Sequence, residues 1–194
     1  DYVVLTSVDR DDLTDGGSSH IAKCVDASKR KSPNVVIEVL SPDFRGNLDH
    51  LDILLESGLD VFSQNIETVE RLTHPVRDPR AGYKQTLKML RHASEKSFLS
   101  KSGMMLGLGE EKDEVIKTMR DLHDCGVKIL TIGQYLRPTI NHLPVKKYIH
   151  PDEFLEYSDI GMEIGIEEVV AGPLIRSSYR ADRAFMKIEK NKNG

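Results

Sequence analysis

Cysteine is scarce in this sequence, and tryptophan is absent. The 194 residues include two cysteines, Cys24 and Cys125, which lie far apart. The sequence contains no CxxC or CxxH motif and no histidine-rich cluster. The chain by itself therefore supplies neither a structural zinc site nor a cysteine cage for a metal cluster.

Long apolar runs and an excess of positive charge are also missing. The apolar runs are only a few residues long, far short of the ~20 that cross a bilayer, so the sequence predicts no membrane span. The net charge of −4 predicts no basic surface for nucleic acid. The first residues, from Asp1 to Leu5, include no initiator Met and begin inside an apolar run, so we expect a truncated N-terminus.

Short β-branched runs alternate with amphipathic helical stretches over most of the chain. This alternation is typical of βα units and predicts an α/β fold with a parallel sheet, in a single domain over residues 1–186. Residues 187–194 are polar and lysine-rich and are expected to form a solvated tail. The predicted strands are Tyr2–Thr6, Val35–Leu40, Val61–Ile66, Ser102–Leu106, Ile129–Gly133 and Glu168–Ala171.

Polar or glycine residues follow nearly every predicted strand, and in α/β folds the carboxyl ends of the strands build the site. Asn65 and Glu67 fall on one face if their strand continues, and an amide beside a carboxylate suits the two hydroxyls of a ribose. A helix start with Thr68 as its cap and Glu70 nearby fits the same residues equally well. The pattern leaves both interpretations open.

Three other loops also admit a binding and a structural interpretation. The acidic loop 7–12 can grip an amine or a ribose, or form a solvated turn. In segment 71–80, expected to be a rigid loop, Arg77 and Arg80 can bind a carboxylate or phosphate, or pair with an aspartate. The glycine-rich stretch 103–110 can approach a ligand closely, although it is not a P-loop. From residues alone, the chain is an α/β enzyme with a site on its strand ends.

Together these segments resemble lipoyl synthase, a family of the radical SAM superfamily. They occur in the order found in that family and cover nearly the whole chain. The matching blocks are Val3–Leu13, Asp15–Gly17, Pro42–Gly46, Asn65–Thr68, Val76–Ala81, Met105–Glu110, Gly133–Leu136 and Gly172–Tyr179.

The resemblance implies a partial (β/α)6 barrel, here without its first strand and its cluster loop. It implies an enzyme that inserts two sulfur atoms, at C6 and C8, into an octanoyl chain attached to a lysine of a carrier domain. One [4Fe–4S] cluster would cleave S-adenosylmethionine to a hydrogen-abstracting radical, and a second, auxiliary [4Fe–4S] cluster would donate the sulfur. Side-chain acids and bases cannot break such C–H bonds, so the cofactors carry this chemistry.

The implied partners are octanoylated lipoyl-carrier domains, namely the glycine cleavage H protein and the E2 subunits of 2-oxoacid dehydrogenases. An electron donor such as ferredoxin or flavodoxin is also implied, whereas nucleic acid and membranes are not. The implied compartment is the cytoplasm in a bacterium, and the mitochondrion or plastid in a eukaryote.

The resemblance also assigns roles to individual residues. Ser177 or Ser178, with a slight preference for the former, would ligate an iron of the auxiliary cluster, and Arg176 would stabilise negative charge there. The alkoxide oxygen of a serine is a hard ligand and matches a site of soft ligands poorly. Weak ligation suits an iron that must leave the auxiliary cluster. The expected ligands of S-adenosylmethionine are Asn65, Glu67, Arg80 and Gln134.

The chain departs from the family because it lacks both cysteine motifs, CxxxCxxC and CxxxxCxxxxxC, which are expected upstream of Asp1. Cys24 and Cys125 do not have the spacing to replace them, so the chain alone is expected to be inactive. Two alternatives stay open. One is a cluster-free α/β-barrel lyase or isomerase, with Lys101 as the first Schiff-base candidate; the other is a non-catalytic remnant that binds carrier domains.

Overall fold

The computed structural model describes residues 1–179 and 181–193. Within these residues, six parallel strands form one open sheet in the order β1-β2-β3-β4-β5-β6, which confirms the predicted α/β fold. The strands are β1 (Tyr2–Thr6), β2 (Val36–Leu40), β3 (Val61–Ser63), β4 (Leu99–Leu106), β5 (Ile129–Gln134) and β6 (Glu168–Gly172). The helices are α1 (Ser18–Lys31), α2 (Leu48–Leu55), α3 (Thr73–Val76), α4 (Tyr83–Glu95), α5 (Lys112–Asp124), α6 (Pro151–Ile164) and α7 (Ala181–Asn193).

The local sequence signals explain several of these boundaries. Asn47 caps α2, because its side chain accepts hydrogen bonds from the backbone N–H groups of Asp49 and His50. Helix α6 begins with Pro151 at a position where no N–H is needed, and it ends at Gly165 in the left-handed conformation. These residues mark the ends of α2 and α6, because they satisfy or remove backbone groups that a helix end leaves unpaired.

Several segments differ from the prediction. Strand β3 ends at Ser63 and β4 begins at Leu99, in each case three residues earlier than expected. The expected loop 71–80 contains helix α3, and its Pro75 falls within the first turn, where a missing N–H costs little. The expected tail from residue 187 is helical as far as Asn193, and Ile188 there is 1% exposed; Gly194 lies outside the described residues. None of the described helices is long and apolar enough to span a membrane.

The two faces of the sheet are covered differently. One face packs against helices α1, α2, α4, α5 and α6 through residues such as Ile37, Phe62 and Leu130. On the opposite face, near the amino ends of the strands, a smaller cluster joins the sheet to α7. This cluster consists of Val61, Leu99, Ile129, Ala184 and Ile188, with Phe185 packed against it. The opposite face is therefore filled at the amino ends and available at the carboxyl ends.

Helix α7 links the two outer strands of the open sheet. The Phe185 ring stands edge-on to Tyr2 of β1, with ring centroids 5.8 Å apart. On the other side, Lys187 forms an ion pair with Glu168 of β6. An edge-to-face aromatic pair and a short ion pair each add modestly to the burial of α7. The helix thus closes the amino-terminal end of the sheet, which otherwise has two free edges.

A buried ion pair lies on the same face. Lys101 of β4 and Glu38 of β2 are 1% and 0% exposed, and the Lys101 Nζ atom is 2.9 Å from both Glu38 carboxylate oxygens. The Tyr2 hydroxyl donates to the same carboxylate at 2.6 Å. Burial and the neighbouring Glu38 raise the pKa of Tyr2, so its hydroxyl keeps the proton that it donates. The three groups satisfy one another inside the sheet.

Removing one member of this pair should strongly destabilise the fold. Lys101→Met leaves the Glu38 charge buried without its partner, which typically costs about 3–5 kcal/mol, measured here as the free energy of unfolding in urea. The double variant Glu38→Met, Lys101→Met should recover at least half of that loss. Lys112→Met, which breaks the exposed pair with Glu156, serves as the control and should change stability by about 0–1 kcal/mol. A mild effect of Lys101→Met would show that the pair is not essential.

Candidate functional site

A cavity of about 380 Å³ opens at the carboxyl ends of β3 to β6, on the face that α7 leaves free. Its walls combine polar groups from the strand ends with apolar groups from two loops. Five of the residues predicted from sequence to form the site line it together. These are Asn65, Glu67, Gln134, Arg176 and Ser177.

Glu67 is held in the cavity wall by an unusual backbone conformation. Its φ of 67° lies in the left-handed region, which is costly for a side-chain-bearing residue and occurs most often at functional sites. Two hydrogen bonds to β4 maintain it: the Glu67 N–H donates to the Gly103 carbonyl at 3.0 Å, and Met105 donates to the Glu67 carbonyl at 2.9 Å. The strained residue is thus fixed to the neighbouring strand.

The Glu67 carboxyl is poorly solvated. Burial raises its pKa, while a hydrogen bond from Asn65 and the positive charge of Arg77 act in the opposite direction. The alternative interpretation of this segment as a helix start is borne out in part, because a 3-10 helix begins at Glu70, but Thr68 does not cap it. The Thr68 hydroxyl is buried and has no hydrogen-bond partner among the described residues. The binding interpretation of Asn65 and Glu67 is the one that the geometry favours.

Asn65 carries an unsatisfied acceptor at the cavity wall. Its Oδ1 atom is buried and has no hydrogen-bond partner within the described part of the chain. Such atoms are rare in folded proteins and call for a donor from a ligand or water. A Cβ atom on Gly103 would lie 2.8 Å from both Asn65 Oδ1 and Thr131 Oγ1, so glycine is needed there. The three strand ends therefore leave space beside two hydrogen-bonding oxygens.

Gln134 lines the cavity, but its amide is already engaged. Its Nε2 atom donates to the carbonyls of Tyr135 at 2.9 Å and Lys147 at 3.2 Å, and its Oε1 atom accepts from the Ile149 N–H at 2.9 Å. These bonds secure the long loop before α6. The side chain thus has a structural task here, and its predicted contact with S-adenosylmethionine stays a prediction.

Arg80 does not join the other predicted ligands. Its guanidinium is exposed and forms ion pairs with Asp11 and, at 2.8 Å, with Asp78. Arg80 in turn holds the pKa of Asp78 well below its usual range. Arg77 takes the position beside Glu67 instead, and it donates to the Thr86 hydroxyl at 3.0 Å. Sequence spacing could not choose between these two arginines, since both flank the same proline-rich turn.

The two serines that follow Arg176 face different spaces. They lie on the segment between β6 and α7, which we call the strap, residues 173–179. Ser177 lines the cavity with Arg176, whereas Ser178 lines a separate groove beside Tyr2 and Val4 of β1. The path of the strap therefore directs two adjacent serines, which the sequence could not distinguish, into different spaces.

The glycine-rich turn after β4 does not present free donors for an anion. The carboxylate of Glu110 accepts hydrogen bonds from the N–H groups of Gly107 at 2.5 Å and Leu108 at 3.0 Å. Those N–H groups would be the ones to bind a phosphate. The turn is therefore self-satisfied, and its role is to shape the cavity edge.

The acidic loop 7–12 also lies outside the cavity lining. Arg10 forms an exposed ion pair with Asp12, and Asp15 accepts from the N–H groups of Gly17 and Ser19. These contacts match the solvated-turn interpretation of this loop.

The described side chains contain neither grouped metal ligands nor a Schiff-base candidate at the cavity. In the described ranges, no three His, Cys, Asp or Glu residues are grouped so that they could hold a metal ion. Of the two free cysteines, Cys24 is exposed and Cys125 is buried. Lys101, the first Schiff-base candidate, is buried in its pair with Glu38 and is not among the cavity-lining residues.

Comparison with known proteins identifies the family. The model of the radical SAM superfamily matches residues 1–122. The chain belongs to the radical SAM superfamily. A lipoyl synthase from Ectopseudomonas mendocina is 58% identical over 195 residues, covering 100% of this chain and 55% of that protein. A lipoyl synthase from Thermus thermophilus is 57% identical over 187 residues, covering 95% of this chain and 58% of that protein. The resemblance to lipoyl synthase is confirmed, and this radical SAM chain spans about half the length of these relatives.

Solved structures share the fold of this radical SAM chain. Methylornithine synthase aligns with a TM-score of 0.60 and 14% identity, covering 98% of this chain and 67% of that one. The HMG-CoA lyase from Brucella melitensis aligns with a TM-score of 0.54 and 13% identity, covering 87% of this chain and 58% of that one. At such identities the likeness shows the fold alone, which is the partial α/β barrel that was expected.

The desolvated Glu67 carboxyl leads to a test of stability against pH. Because its pKa in the folded state is raised above the ordinary 4.5, its contribution to stability is fully present below pH 4.5 and is lost as pH rises through the folded-state pKa. Glu67→Gln keeps an acceptor for Asn65 and removes the charge. It should therefore unfold at higher urea concentration than the parent at pH 7, and at the same concentration near pH 4. The exposed Glu163→Gln serves as control; equal effects of both variants at pH 7 would contradict this assignment.

Proposed function

We propose that this chain is the part of a lipoyl synthase that binds S-adenosylmethionine and carries the serine ligand of the auxiliary cluster. The whole enzyme would insert two sulfur atoms, at C6 and C8, into a protein-bound octanoyl-lysine. The identity to proteins named lipoyl synthase supports this proposal, as does the convergence of Asn65, Glu67 and Ser177 on one cavity. The observation that carries it is the unsatisfied Oδ1 atom of Asn65 at that cavity.

The cavity fits the nucleoside part of S-adenosylmethionine. Asn65 Oδ1 can accept from a ribose hydroxyl, and the Glu67 carboxylate can accept from the neighbouring hydroxyl. Met104 and Met105 offer polarizable apolar contact to a flat ring. Bound beside a [4Fe–4S] cluster, S-adenosylmethionine supplies the one-electron chemistry that reaches an unactivated C–H bond. The chain's own contribution is to bind, orient and desolvate it.

The remaining components lie outside this chain in the proposal. Cysteine ligands of two [4Fe–4S] clusters would come from the part of the relatives that this chain does not match, so the chain alone is inactive. Octanoylated carrier domains would deliver the substrate, and a ferredoxin or flavodoxin would supply electrons. In a bacterium, such as the sources of the relatives, the enzyme would act in the cytoplasm.

A cluster-free lyase or isomerase is less well supported. Its first Schiff-base candidate, Lys101, has its ammonium group bound by both oxygens of Glu38 and buried. A lysine nucleophile must be able to lose its proton and reach a carbonyl, and the Glu38 charge favours the protonated form. A non-catalytic remnant that binds carrier domains is separated from the enzyme by whether cysteine motifs precede this sequence in its gene.

Binding of S-adenosylmethionine to the chain tests the nucleoside site. Asn65→Ala removes the free acceptor and should weaken binding about tenfold in isothermal titration calorimetry, the size of one lost hydrogen bond of about 1.4 kcal/mol. Asn141→Ala, in the exposed loop before α6, is the matched control and should bind like the parent. If Asn65→Ala binds with parental affinity, the ribose is held elsewhere.

The serine ligand can be tested in a chimera that joins the unmatched part of the Ectopseudomonas mendocina relative to this chain. Ser177→Ala should still form 5′-deoxyadenosine, since the site for S-adenosylmethionine is unchanged, but it should make no lipoyl product. Ser178→Ala faces the other groove and should lower product at most about tenfold, as for one hydrogen bond. Both products are measured by mass spectrometry. Parental lipoyl formation by Ser177→Ala would overturn the assignment.

A further inference from the structure

We propose that Gly133 is a positioning residue: by lacking a side chain, it sets the height of the strap, and hence of Arg176 and Ser177, above the cavity. The effect on catalysis rests on the proposed function, whereas the effect on the strap does not. The inference comes from the contact between the end of β5 and the first turn of the strap.

The strap lies directly on β5 at this position. A Cβ atom built on Gly133 would fall less than 3.0 Å from the carbonyl oxygen of Ile175, a distance that real Cβ atoms essentially never show. The obstructing atom is backbone, so no side-chain rotation can relieve the contact. The Ile175 N–H donates at 3.1 Å to the Gly172 carbonyl, which folds the strap into a tight turn over the strand.

A second glycine supports the same turn from β6. A Cβ atom on Gly172 would lie 3.3 Å from Cγ1 of Ile175, close but against a side chain that can adjust. Strand β5 pairs Gly133 with Gly172, so the two glycines are neighbours under the turn. Together, the two glycines leave a surface without side chains, and Ile175 packs against it.

Helix α7, which follows the strap, is well packed: Ala181, Ala184 and Ile188 are at most 4% exposed. A displacement at Ile175 is expected to move the residues that follow it most closely. Arg176 and Ser177 follow Ile175 directly.

The expected displacement of the strap indicates how large the loss of reaction rate should be. The built Cβ atom of Gly133 lies about 1 Å closer to the Ile175 carbonyl oxygen than an ordinary C···O separation of about 3.3 Å. The strap would therefore have to shift by about 1 Å to restore that separation. Misplacing a reacting group by about 1 Å can cost about 100-fold in rate. Asn65 and Glu67 follow β3 and are not attached to the strap, so cleavage of S-adenosylmethionine should fall far less than sulfur insertion.

The experiment compares Gly133→Ala with Gly172→Ala and Gly82→Ala in the chimera defined above. Gly82 is the control, since a Cβ there makes only ordinary contact with Gln85 at 3.4 Å. We expect Gly133→Ala to lower lipoyl product about 100-fold and 5′-deoxyadenosine by a clearly smaller factor, because the strap is displaced directly and the nucleoside contacts are not. Gly172→Ala should act in the same direction but more weakly, and Gly82→Ala should match the parent.

Hydrogen exchange of the Ile175 amide gives a readout that does not depend on activity. In Gly133→Ala its exchange should be about tenfold faster than in the parent, as expected when one hydrogen bond is weakened. An equal loss of 5′-deoxyadenosine and lipoyl product would reduce Gly133 to a general stability role and overturn the proposal. Parental exchange at Ile175 would overturn it as well.

Two further outcomes are also decisive. If Gly133→Ala does not fold, Gly172→Ala decides: a selective fall in lipoyl product supports the proposal, and parental amounts of both products overturn it. If the unsubstituted chimera makes no lipoyl product, the proposed function fails. In that case the exchange at Ile175 still supports the positioning role if it is faster in Gly133→Ala and overturns it if unchanged.

Discussion

The cavity exists because two inward-facing positions on neighbouring strands, Gly103 and Gly133, can carry no side chain. At the amino ends of the same strands, Leu99 and Ile129 fill the equivalent space and pack on α7. At the carboxyl ends, Asn65 comes so close to Gly103 and Ile175 so close to Gly133 that a methyl group would clash. Because neighbouring polar groups can approach the backbone of these two glycines closely, the open end of the packed sheet becomes a polar site.

On this face of the sheet, the stabilising ion pair and the candidate site lie at different heights along the strands. Below the cavity, charge is paired: Lys101, Glu38 and Tyr2 satisfy one another, and the Lys101 and Glu38 side chains are buried. At the cavity, the opposite holds, since Glu67 is strained and desolvated and Asn65 keeps a free acceptor. Such costs persist only where the surrounding structure enforces them, and here β4 does so through two backbone hydrogen bonds to Glu67. The well-packed part of the face below the cavity thus supports the strained and incompletely hydrogen-bonded groups at the cavity.

Much of the fold followed from local signals, because alternation, helix caps and glycine stops act within a few residues. The site was only partly accessible in this way. Strand alternation predicted that Asn65 and Glu67 share a face, and both line the cavity, although β3 ends at Ser63 and does not reach them. Arg77 and Arg80 differ in which one folds back towards Glu67, and that depends on α3 and α4. Ser177 and Ser178 differ only through the path of the strap. The end of the last helix was expected to be a polar tail because three lysines there accompany a single apolar residue, Ile188.

The central claim is that S-adenosylmethionine binds on the carboxyl ends of β3 to β5 beneath the strap. The most direct measurement is a backbone amide NMR titration of this chain with S-adenosylmethionine. The account predicts the largest shift changes at Asn65, Glu67, Gly103, Thr131 and Gly133, with smaller ones in the strap. Changes centred instead on the groove between β1 and α1, at Ser7, Gly17 and Cys24, would contradict it.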